Sequence, residues 1–405
     1  MIDHLINAME NAIEQIMQWP EKSIWVFHHN DADGLCSGAI LDRTFTRKGF
    51  KVHRFCLEKP YPAVLKKIFE PQGRILIFAD FAGRIAPMLS ELNKGRNLTL
   101  ILDHHAAEAS TDPAVHNLDP DLFGLKGDRD ISASTTCYLF ARTMDSANLD
   151  MAHIAALGAV GDGFFVNGQL ASQNRKVALE AERQGSIEIV KHETGEHYLL
   201  ITPKGQISCI KLGEDLDIFG GVGYFQRGPD MGVKVCLEGV SPESELMLKE
   251  LQALKTRAFD DEISRLKAGA LNKTAHIQWF HVEKRFMPMG VKIIGIFCET
   301  IREMSFIDPD KYIAGFQIIP GEIPDFGTIS MNDVKISMRV SPVLEQEIRA
   351  GMKMGLNMLL PEATERLGGF SDACHSLTAA TTVAIGKELE LIEEMEKILK
   401  GDKDG

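Results

Sequence analysis

The sequence predicts an α/β protein: an N-terminal, doubly wound, mostly parallel sheet followed by a second, smaller α/β C-terminal domain. Short β-branched apolar runs alternate with helical segments from residue 23 to about 162, which is the pattern of βαβ units. A long helix begins near residue 241, and strand-like runs return after it. The length of 405 residues exceeds what one typical core accommodates, so two domains are expected.

The first half of the chain is predicted to open with an amphipathic helix over 1–19, where Leu5, Met9, Ile13 and Ile16 recur at helical spacing. A helix is also expected near 169–184. Residues 187–239 are rich in glycine and contain two β-like runs, 198–201 and 233–237, which predict a small antiparallel excursion. The strands predicted before it are 23–28, 51–57, 74–79, 98–102 and 114–118.

The second half begins with a helix start at Ser241-Pro242-Glu243: a capping serine, a proline at the first helical position and an acid in the first turn. This connecting helix extends to about residue 272. Strands over 277–282, 291–297, 313–319 and 334–340 follow, then a Gly368-Gly369 turn and a helix near 387–400. The predicted domains are therefore 1–186, an excursion with the connecting helix over 187–272, and 273–405.

Composition limits the possible functions. The apolar and charged fractions, 44% and 25%, are ordinary for a globular protein, and no apolar run is long enough to cross a bilayer. Seven scattered cysteines without a Cys-x-x-Cys pair, and no signal-peptide pattern, predict a cytoplasmic protein. The net charge of −13 disfavours non-specific binding to long nucleic acid. A nucleotide substrate is still possible, because bound metals can supply the local positive charge.

Acidic and histidine residues recur where predicted strands or helices end. Because the carboxyl ends of parallel strands meet at one sheet edge, these side chains can share a crevice. Carboxylates brought that close repel one another unless cations lie between them, so the pattern predicts a metal site. The residues are Asp31, Asp33, Asp80, Asp103, His104, His105 and Asp162.

Taken singly, each residue also has a structural interpretation, since strand-end aspartates often cap the next helix. Asp-x-Asp-Gly also occurs in EF-hand calcium loops, but here a strand precedes it and Ile40 stands where a bidentate glutamate is needed. A haloacid-dehalogenase-like phosphatase would use the motif as a covalent nucleophile, yet that scheme has no role for Asp80 or the Asp-His-His triplet. The phosphatase stays a minor alternative. The presence of so many acidic and histidine residues at one sheet edge favours a metal centre.

Four ordered motifs resemble those of the DHH phosphoesterase family, named for its Asp-His-His triplet. They are His29-Asn30-Asp31-Ala32-Asp33-Gly34, Ala79-Asp80-Phe81, Asp103-His104-His105 and Gly158-Ala159-Val160-Gly161-Asp162-Gly163. The C-terminal part, roughly residues 275–395, more loosely resembles the family's DHH-associated substrate domain. This resemblance lies in Lys335-Ile336-Ser337-Met338-Arg339 and in Arg366-Leu367-Gly368-Gly369-Phe370 with Ala373-Cys374-His375. The resemblance implies a two-domain metallo-phosphoesterase.

The resemblance also implies a centre of two divalent cations, usually Mn²⁺, with Mg²⁺ as the alternative. Asp80 would bridge both ions, Asp31 with His29 would bind the first, and Asp33, His104 and Asp162 would bind the second. Asp103 would lie behind these ligands and His105 would contact phosphoryl oxygens. Many family members carry a histidine four residues before the first aspartate; Phe27 stands there, so His29 is the expected substitute and His28 the alternative.

The implied substrate-binding residues are Arg339, Gly368, Gly369 and His375. The glycine turn departs from the family pattern, because its third glycine and following histidine are absent, and His375 is assigned that histidine's role. Each residue also has a structural alternative: a strand arginine in an ion pair, a turn that requires positive φ, and an ordinary polar histidine.

We expect hydrolysis of phosphodiester bonds in short oligonucleotides or related nucleotides, by in-line attack of a hydroxide that bridges two metals. The acidic charge and the few aromatic residues placed for base stacking favour short substrates. The alternatives are a RecJ-like single-strand-specific exonuclease, a polyphosphate or pyrophosphate hydrolase and, outside enzymes, a replication-complex scaffold. No membrane partner is expected, and the sequence leaves a homodimer open.

Overall fold

The computed structural model describes residues 2–401, apart from the side chains of residues 372 and 373. The chain divides into two compact units. Unit 1 comprises the chain up to residue 249 together with Pro324–Gly327, and unit 2 comprises Glu250–Ile323 and the chain from Thr328 onward. Within the described range, no helix is both long enough and apolar enough to cross a membrane.

A five-stranded, all-parallel sheet forms the centre of unit 1, with the strand order β2-β1-β3-β4-β5. The order reverses between β1 and β3, and in sheets of this kind the loops that follow two such strands diverge at the carboxyl edge, where ligands bind. Strands β3 and β4 are buried at every position, which explains their continuous apolar sequence. The strands are β1 Ser23–His28, β2 Lys51–Cys56, β3 Ile75–Ala79, β4 Leu98–Leu102 and β5 Val115–Asn117.

Nine helices accompany this sheet among the described residues of unit 1. The amphipathic opening helix is present, and it buries Leu5, Met9, Ala12 and Ile16. The helices are α1 Ile2–Gln18, α2 Ala32–Arg47, α3 Pro62–Ile68, α4 Ala86–Asn93, α5 Ala133–Met144, α6 Ala152–Gly161, α7 Ser172–Arg183, α8 Cys209–Asp217 and α9 Gly228–Glu238. Two short strands, β6 Phe165–Val166 and β7 Gln169–Leu170, pair between α6 and α7.

The predicted antiparallel excursion is correct only in its first part. Strands β8 Ile187–His192, β9 Gly195–Thr202 and β10 Gly205–Ser208 form a three-stranded antiparallel sheet. The rest is helical: α8, a π-helical turn Ile218–Val222, a 3₁₀ turn Tyr224–Gln226, and α9. The strand predicted over 233–237 is therefore wrong, because Val233 and Val235 are buried in the helix that packs against α2.

Unit 2 contains a six-stranded mixed sheet with the order β11-β12-β13-β16-β18-β17. One face packs Phe316, Ile336 and Met338 in a core with Leu359 and Met395. The strands are β11 Asn272–Lys273, β12 Ile277–His281, β13 Tyr312–Ile318, β14 Glu322–Ile323, β15 Gly327–Thr328, β16 Asp333–Arg339, β17 Phe370–Cys374 and β18 Thr378–Ala384. The mixed α/β fold confirms the predicted class.

The helices of the second half differ from the prediction at one place. The strand predicted over 291–297 is wrong, since this run lies mostly in α11; a short apolar run has the same composition in a buried strand and a buried helix. The connecting helix and the last helix are present as predicted. The helices are α10 Pro242–Arg265, continued by a π-helical turn Leu266–Ala270, α11 Ile293–Ile301, α12 Pro342–Arg349, α13 Leu356–Arg366 and α14 Glu388–Gly401.

Candidate metal centre

The loop after β1 places two aspartates at the start of α2. Asp31 is the N-cap of this helix, and its Oδ1 accepts a hydrogen bond from the Gly34 N–H at 3.0 Å. Asp33 lies in the first turn and is fully buried. Its carboxylate accepts hydrogen bonds from Ala133 N at 2.7 Å and Ser134 N at 3.1 Å, at the N-terminus of α5. The capping interpretation is thus correct for Asp31, but its second oxygen, Oδ2, faces His29 at 2.6 Å from Nδ1.

Asp80 follows β3 with left-handed backbone geometry, φ 66°. A non-glycine residue in this region costs about 1–3 kcal/mol and persists where the surrounding structure holds it. Here the Asp80 N–H donates to the Leu102 carbonyl at 3.0 Å. The buried carboxylate lies between two imidazoles: Oδ2 is 3.5 Å from His29 Nδ1, and Oδ1 is 3.3 Å from His104 Nε2. One side chain therefore faces both histidines.

The buried ring nitrogen Nε2 of His104 faces acidic oxygens. Its Nδ1 lies 2.6 Å from the Gly127 carbonyl oxygen, which can only accept, so Nδ1 carries the proton. In the neutral ring Nε2 therefore bears the lone pair, and it faces Asp80 Oδ1 at 3.3 Å and Asp162 Oδ2 at 3.7 Å. Burial disfavours the charged ring, but Asp162 and Asp33 raise the His104 pKa above its ordinary value. Nε2 is buried and makes no hydrogen bond within the described part of the chain. A lone pair opposite two carboxylates is stabilised by a cation or a proton between them.

Asp103 orients His105. Its carboxylate accepts hydrogen bonds from Gly83 N at 2.8 Å, from His104 N at 2.8 Å and from His105 Nδ1 at 2.7 Å. Burial opposes ionisation of Asp103, but the His105 imidazole overcomes it and lowers the Asp103 pKa. Likewise, burial disfavours the charged imidazole, yet Asp103 raises the pKa of His105 above its ordinary value. The His105 side chain is 44% exposed, so a protonated ring can reach a bound molecule.

The donor atoms form three overlapping groups, each with its atoms within 4.8 Å of one another, and two of these match the expected ligand sets. The first donor group is His29, Asp31 and Asp80, and the second donor group is Asp33, His104 and Asp162. Asp80 also belongs to a group with Asp103, His104 and His105, but the Asp103 oxygens already accept the hydrogen bonds described above.

The electrostatics of this cluster favour cations. Burial, with Asp31 and Asp33 adding their charges, raises the pKa of Asp80 well above its ordinary value. Burial likewise raises the pKa of Asp33, although His104 opposes it. In carboxyl groups held in this way the negative charge is energetically unfavourable, and bound divalent cations offset this unfavourable energy. Oxygen and imidazole donors of this kind suit Mn²⁺ and similar cations, so the residues present fit a two-cation centre.

The histidine of the first donor group is His29, because His28 faces away from the cluster. The His28 ring is fully buried; a Cβ on Gly38 would lie 2.7 Å from its Cδ2, and its Nε2 is 3.4 Å from Arg54 Nη1. Burial, with the Arg54 charge adding, lowers the pKa of His28 to about 3, so the ring is neutral. Phe27 is stacked on Phe55 and Phe78 in the core, and the position of the usual family histidine is thus structural here.

Comparison with known proteins shows which fold this is. No protein-family model matches the chain. An uncharacterised protein of Methanocaldococcus jannaschii is 30% identical over 173 residues, a match that spans 41% of this chain and 38% of that protein. A solved structure described as the DHH domain of a member of a family of ribosomal proteins superposes over 98% of this chain and 92% of its own, with a TM-score of 0.62 and 15% identity. The fold is that of the DHH-domain proteins.

A second solved structure with the DHH fold is RecJ of Thermus thermophilus in complex with Mn²⁺. It matches over 98% of this chain but 54% of its own, with a TM-score of 0.61 and 17% identity. The same RecJ has also been solved with Mg²⁺, with a TM-score of 0.55 at 16% identity over 98% of this chain and 52% of its own. The chain therefore spans about half the length of this protein. At such identities the likeness concerns the fold.

The four residues predicted to bind substrate lie in unit 2 of the DHH fold. Arg339 Nε is 3.1 Å from Glu299 Oε2, and Nη1 donates to the Met338 carbonyl, so the ion-pair alternative describes its present contacts. Gly368 adopts φ 67° just after α13, as the turn alternative requires. At Gly369 a Cβ would lie 2.3 Å from the Thr382 carbonyl oxygen. His375 is exposed, and its N–H donates to the Thr378 carbonyl at 2.8 Å. Substrate contact by these four residues stays a prediction.

Three residues around the site were missed by the sequence reasoning. Gly127 allows its backbone to reach His104, since a Cβ there would lie 1.5 Å from the His104 carbonyl oxygen. Asp217 accepts a hydrogen bond from the Ala32 N–H at 3.1 Å. Neither carries a local signal. Asp119 is fully buried and follows β5, so the strand-end search that found the other acids could have found it too.

Proposed function

We propose that the chain is a divalent-metal-dependent phosphoesterase that hydrolyses phosphodiester bonds in short oligonucleotides or related nucleotides. One observation carries this proposal: the single carboxylate of Asp80 faces both His29 and His104, one from each donor group. Asp80 would therefore contribute a ligand oxygen to each of the two cations. Mn²⁺ is the expected ion because the donors mix carboxylate oxygen with imidazole nitrogen. The crystallisation of the RecJ structures with Mn²⁺ or Mg²⁺ supports a divalent cation.

The side chains would divide the chemistry between holding cations and handling protons. When bound, two divalent cations supply Lewis-acid chemistry that activates water and offsets phosphoryl charge. The two donor groups would hold them. Asp103 would hold the His105 ring through Nδ1 and raise its pKa, which favours the protonated form, so the exposed edge of that ring could donate a hydrogen bond to a non-bridging phosphoryl oxygen or a proton to the leaving oxygen.

The preference for a short substrate rests on charge. At −13 the chain repels a long polyanion, whereas a di- to pentanucleotide needs only local neutralisation at the cations. The likeness to RecJ over 98% of this chain favours, as a second candidate, a single-strand-specific exonuclease. The cytoplasm is the proposed location, which is supported by the seven free cysteines, since thiols stay reduced there.

A substrate panel with Mn²⁺ tests the proposal. End-labelled di- to pentanucleotides, long single strands, cyclic dinucleotides and polyphosphate are compared at equal phosphate concentration. We expect the short oligonucleotides to turn over fastest, and Asp80→Ala to lose at least about 10²–10³-fold in kcat. Asp3→Ala, an exposed acid in the first turn of α1, is the matched control and should retain full activity.

The outcomes separate the candidates. Fastest cleavage of long single strands favours the exonuclease, and fastest cleavage of polyphosphate overturns the nucleotide assignment. Turnover by Asp80→Ala at the wild-type rate overturns the assigned site. A wild-type chain that neither binds Mn²⁺ nor cleaves any substrate would support the scaffold alternative.

A further inference from the structure

The loop that carries three of the metal donors is held by a distant part of unit 1. This part is the clamp, defined here as Cys209–Val222, which comprises α8 and the π-helical turn after it. Ala32 N donates to Asp217 Oδ1 at 3.1 Å across 185 positions of sequence, and Asn30 Nδ2 donates to the Gly220 carbonyl at 3.3 Å. Asn30 and Ala32 alternate along the chain with the donors His29, Asp31 and Asp33. Every second residue of the loop is therefore anchored to the clamp.

The backbones of the clamp and the loop approach too closely for side chains. A Cβ on Gly220 would lie 1.6 Å from the Asn30 carbonyl oxygen. A Cβ on Gly213 would lie 2.7 Å from Gly161 Cα, and a Cβ on Gly161 would lie 2.6 Å from the Ala32 Cβ. Gly161 directly precedes Asp162, so the clamp touches the segments that carry donors of both groups.

The hydrogen bond to Asp217 replaces hydration that the loop cannot obtain. Ala32 is 1% exposed and is the first residue of α2, whose initial N–H groups have no partner within the helix. Asp31 satisfies the Gly34 N–H, and Asp217 satisfies the Ala32 N–H. A carboxylate at this end of the helix also interacts favourably with the helix dipole. Without Asp217, Ala32 N–H keeps no partner from the clamp, and the turn between Asp31 and Asp33 is free to relax.

We propose that Asp217 and Gly220 are positioning residues of the metal centre. They hold Ala32 and Asn30 so that His29, Asp31 and Asp33 converge on the cations. Asp217 itself binds no cation in this proposal; it acts through the backbone of Ala32. The inference rests on the proposed function only in requiring that the centre binds divalent metal, and it is independent of the substrate.

Titration of the full chain with Mn²⁺, by calorimetry and by electron paramagnetic resonance of free Mn²⁺, tests the clamp without an activity assay. Asp217→Ala removes the acceptor and should weaken binding about tenfold or more, as for other residues that orient ligands. Asp217→Asn keeps an Oδ1 acceptor and should bind within about twofold of wild type. The matched control is Asp215→Ala, two residues earlier on α8, where the acid pairs with Lys211; its Mn²⁺ binding should be unchanged.

General destabilisation is separated by melting each variant with a chelator present. Leu5→Ala, which opens a cavity under α1, should lower the melting temperature and leave Mn²⁺ affinity intact. Wild-type Mn²⁺ affinity in Asp217→Ala overturns the proposal. So does equal weakening in Asp217→Ala and Asp217→Asn, because charge and not the hydrogen bond would then act. A wild-type chain that binds Mn²⁺ but cleaves nothing refutes the proposed activity and leaves the clamp standing.

Discussion

Replacing Asp119 by asparagine is expected to stabilise unit 1 near neutral pH, because the fold holds this carboxyl group where a negative charge is costly. Asp119 Oδ1 accepts a hydrogen bond from Asp121 N at 2.9 Å, whereas Oδ2 has no hydrogen-bond partner among the described residues. A Cβ on Gly83 would lie 2.5 Å from Asp119 Oδ2 and 3.1 Å from Asp103 Oδ2, so the two carboxyl groups are neighbours. Burial, with the Asp103 charge adding, raises the pKa of Asp119 to about 8.

The magnitude follows from the two states. The unfolded chain ionises Asp119 near the ordinary carboxyl pKa of about 4, while the folded chain keeps it protonated to about pH 8. The stabilising contribution of the raised pKa is fully present below the unfolded value and is lost as the pH rises through the folded value. A pKa difference changes the free energy of unfolding by about 1.4 kcal/mol per pH unit. Between pH 5 and pH 7 the free energy of unfolding of the wild type therefore falls by roughly 3 kcal/mol, and that of the asparagine variant does not.

Urea unfolding of the full chain with a chelator present measures this difference. A Trp279→Phe background leaves Trp19 and Trp25, both in unit 1, as the fluorescent reporters. The free energy of unfolding of Asp119→Asn minus that of the parent should grow by roughly 3 kcal/mol from pH 5 to pH 7. Asp121→Asn, the exposed acid two residues later, is the control and should show no such growth. A difference that is equal at the two pH values would refute the reasoning.

Three further predictions concern the metal centre. Gly127→Ala places a Cβ 1.5 Å from the His104 carbonyl oxygen, so the backbone must move and the hydrogen bond from His104 Nδ1 is lost. Mn²⁺ binding should then weaken about tenfold or more, and a wild-type calorimetric isotherm would contradict this. Because burial raises the pKa of Asp80 and Asp33, protons compete with cations for these carboxylates, and Mn²⁺ affinity should rise from pH 5 to pH 8. A constant affinity would show that both groups are ionised throughout this range. Asp103→Asn removes the charge that raises the His105 pKa, so the alkaline limb of the pH–rate profile should move to lower pH. The kcat should fall about 10²-fold while Mn²⁺ affinity is unchanged, and an unmoved limb would exclude His105 as the titrating proton donor.

Local sequence was sufficient for the sheet of unit 1 and for the neighbourhood of its acids. Buried parallel strands are continuous apolar runs, so β1 to β5 were predicted close to their observed bounds. Parallel order then brings the strand ends together without further information, and Asp31, Asp80 and His104 do lie at one edge. The two wrong strands, 233–237 and 291–297, are short apolar runs whose composition suits a buried helix equally well.

Only the tertiary structure decided which atoms face one another. The sequence favoured His29 and left His28 as the alternative. The close approach at Gly38 and the position of Arg54 direct His28 away and leave His29 beside Asp31 and Asp80. The contacts that Asp217 and Gly220 of the clamp make with Ala32 and Asn30 could not be predicted from the sequence, since they join positions far apart in the chain. The periodicity of apolar residues and the residue types at strand ends are local properties, so they can be seen in the sequence. The direction of a side chain and the close approach of two backbone segments depend on packing between distant residues, so they can be seen only in the tertiary structure.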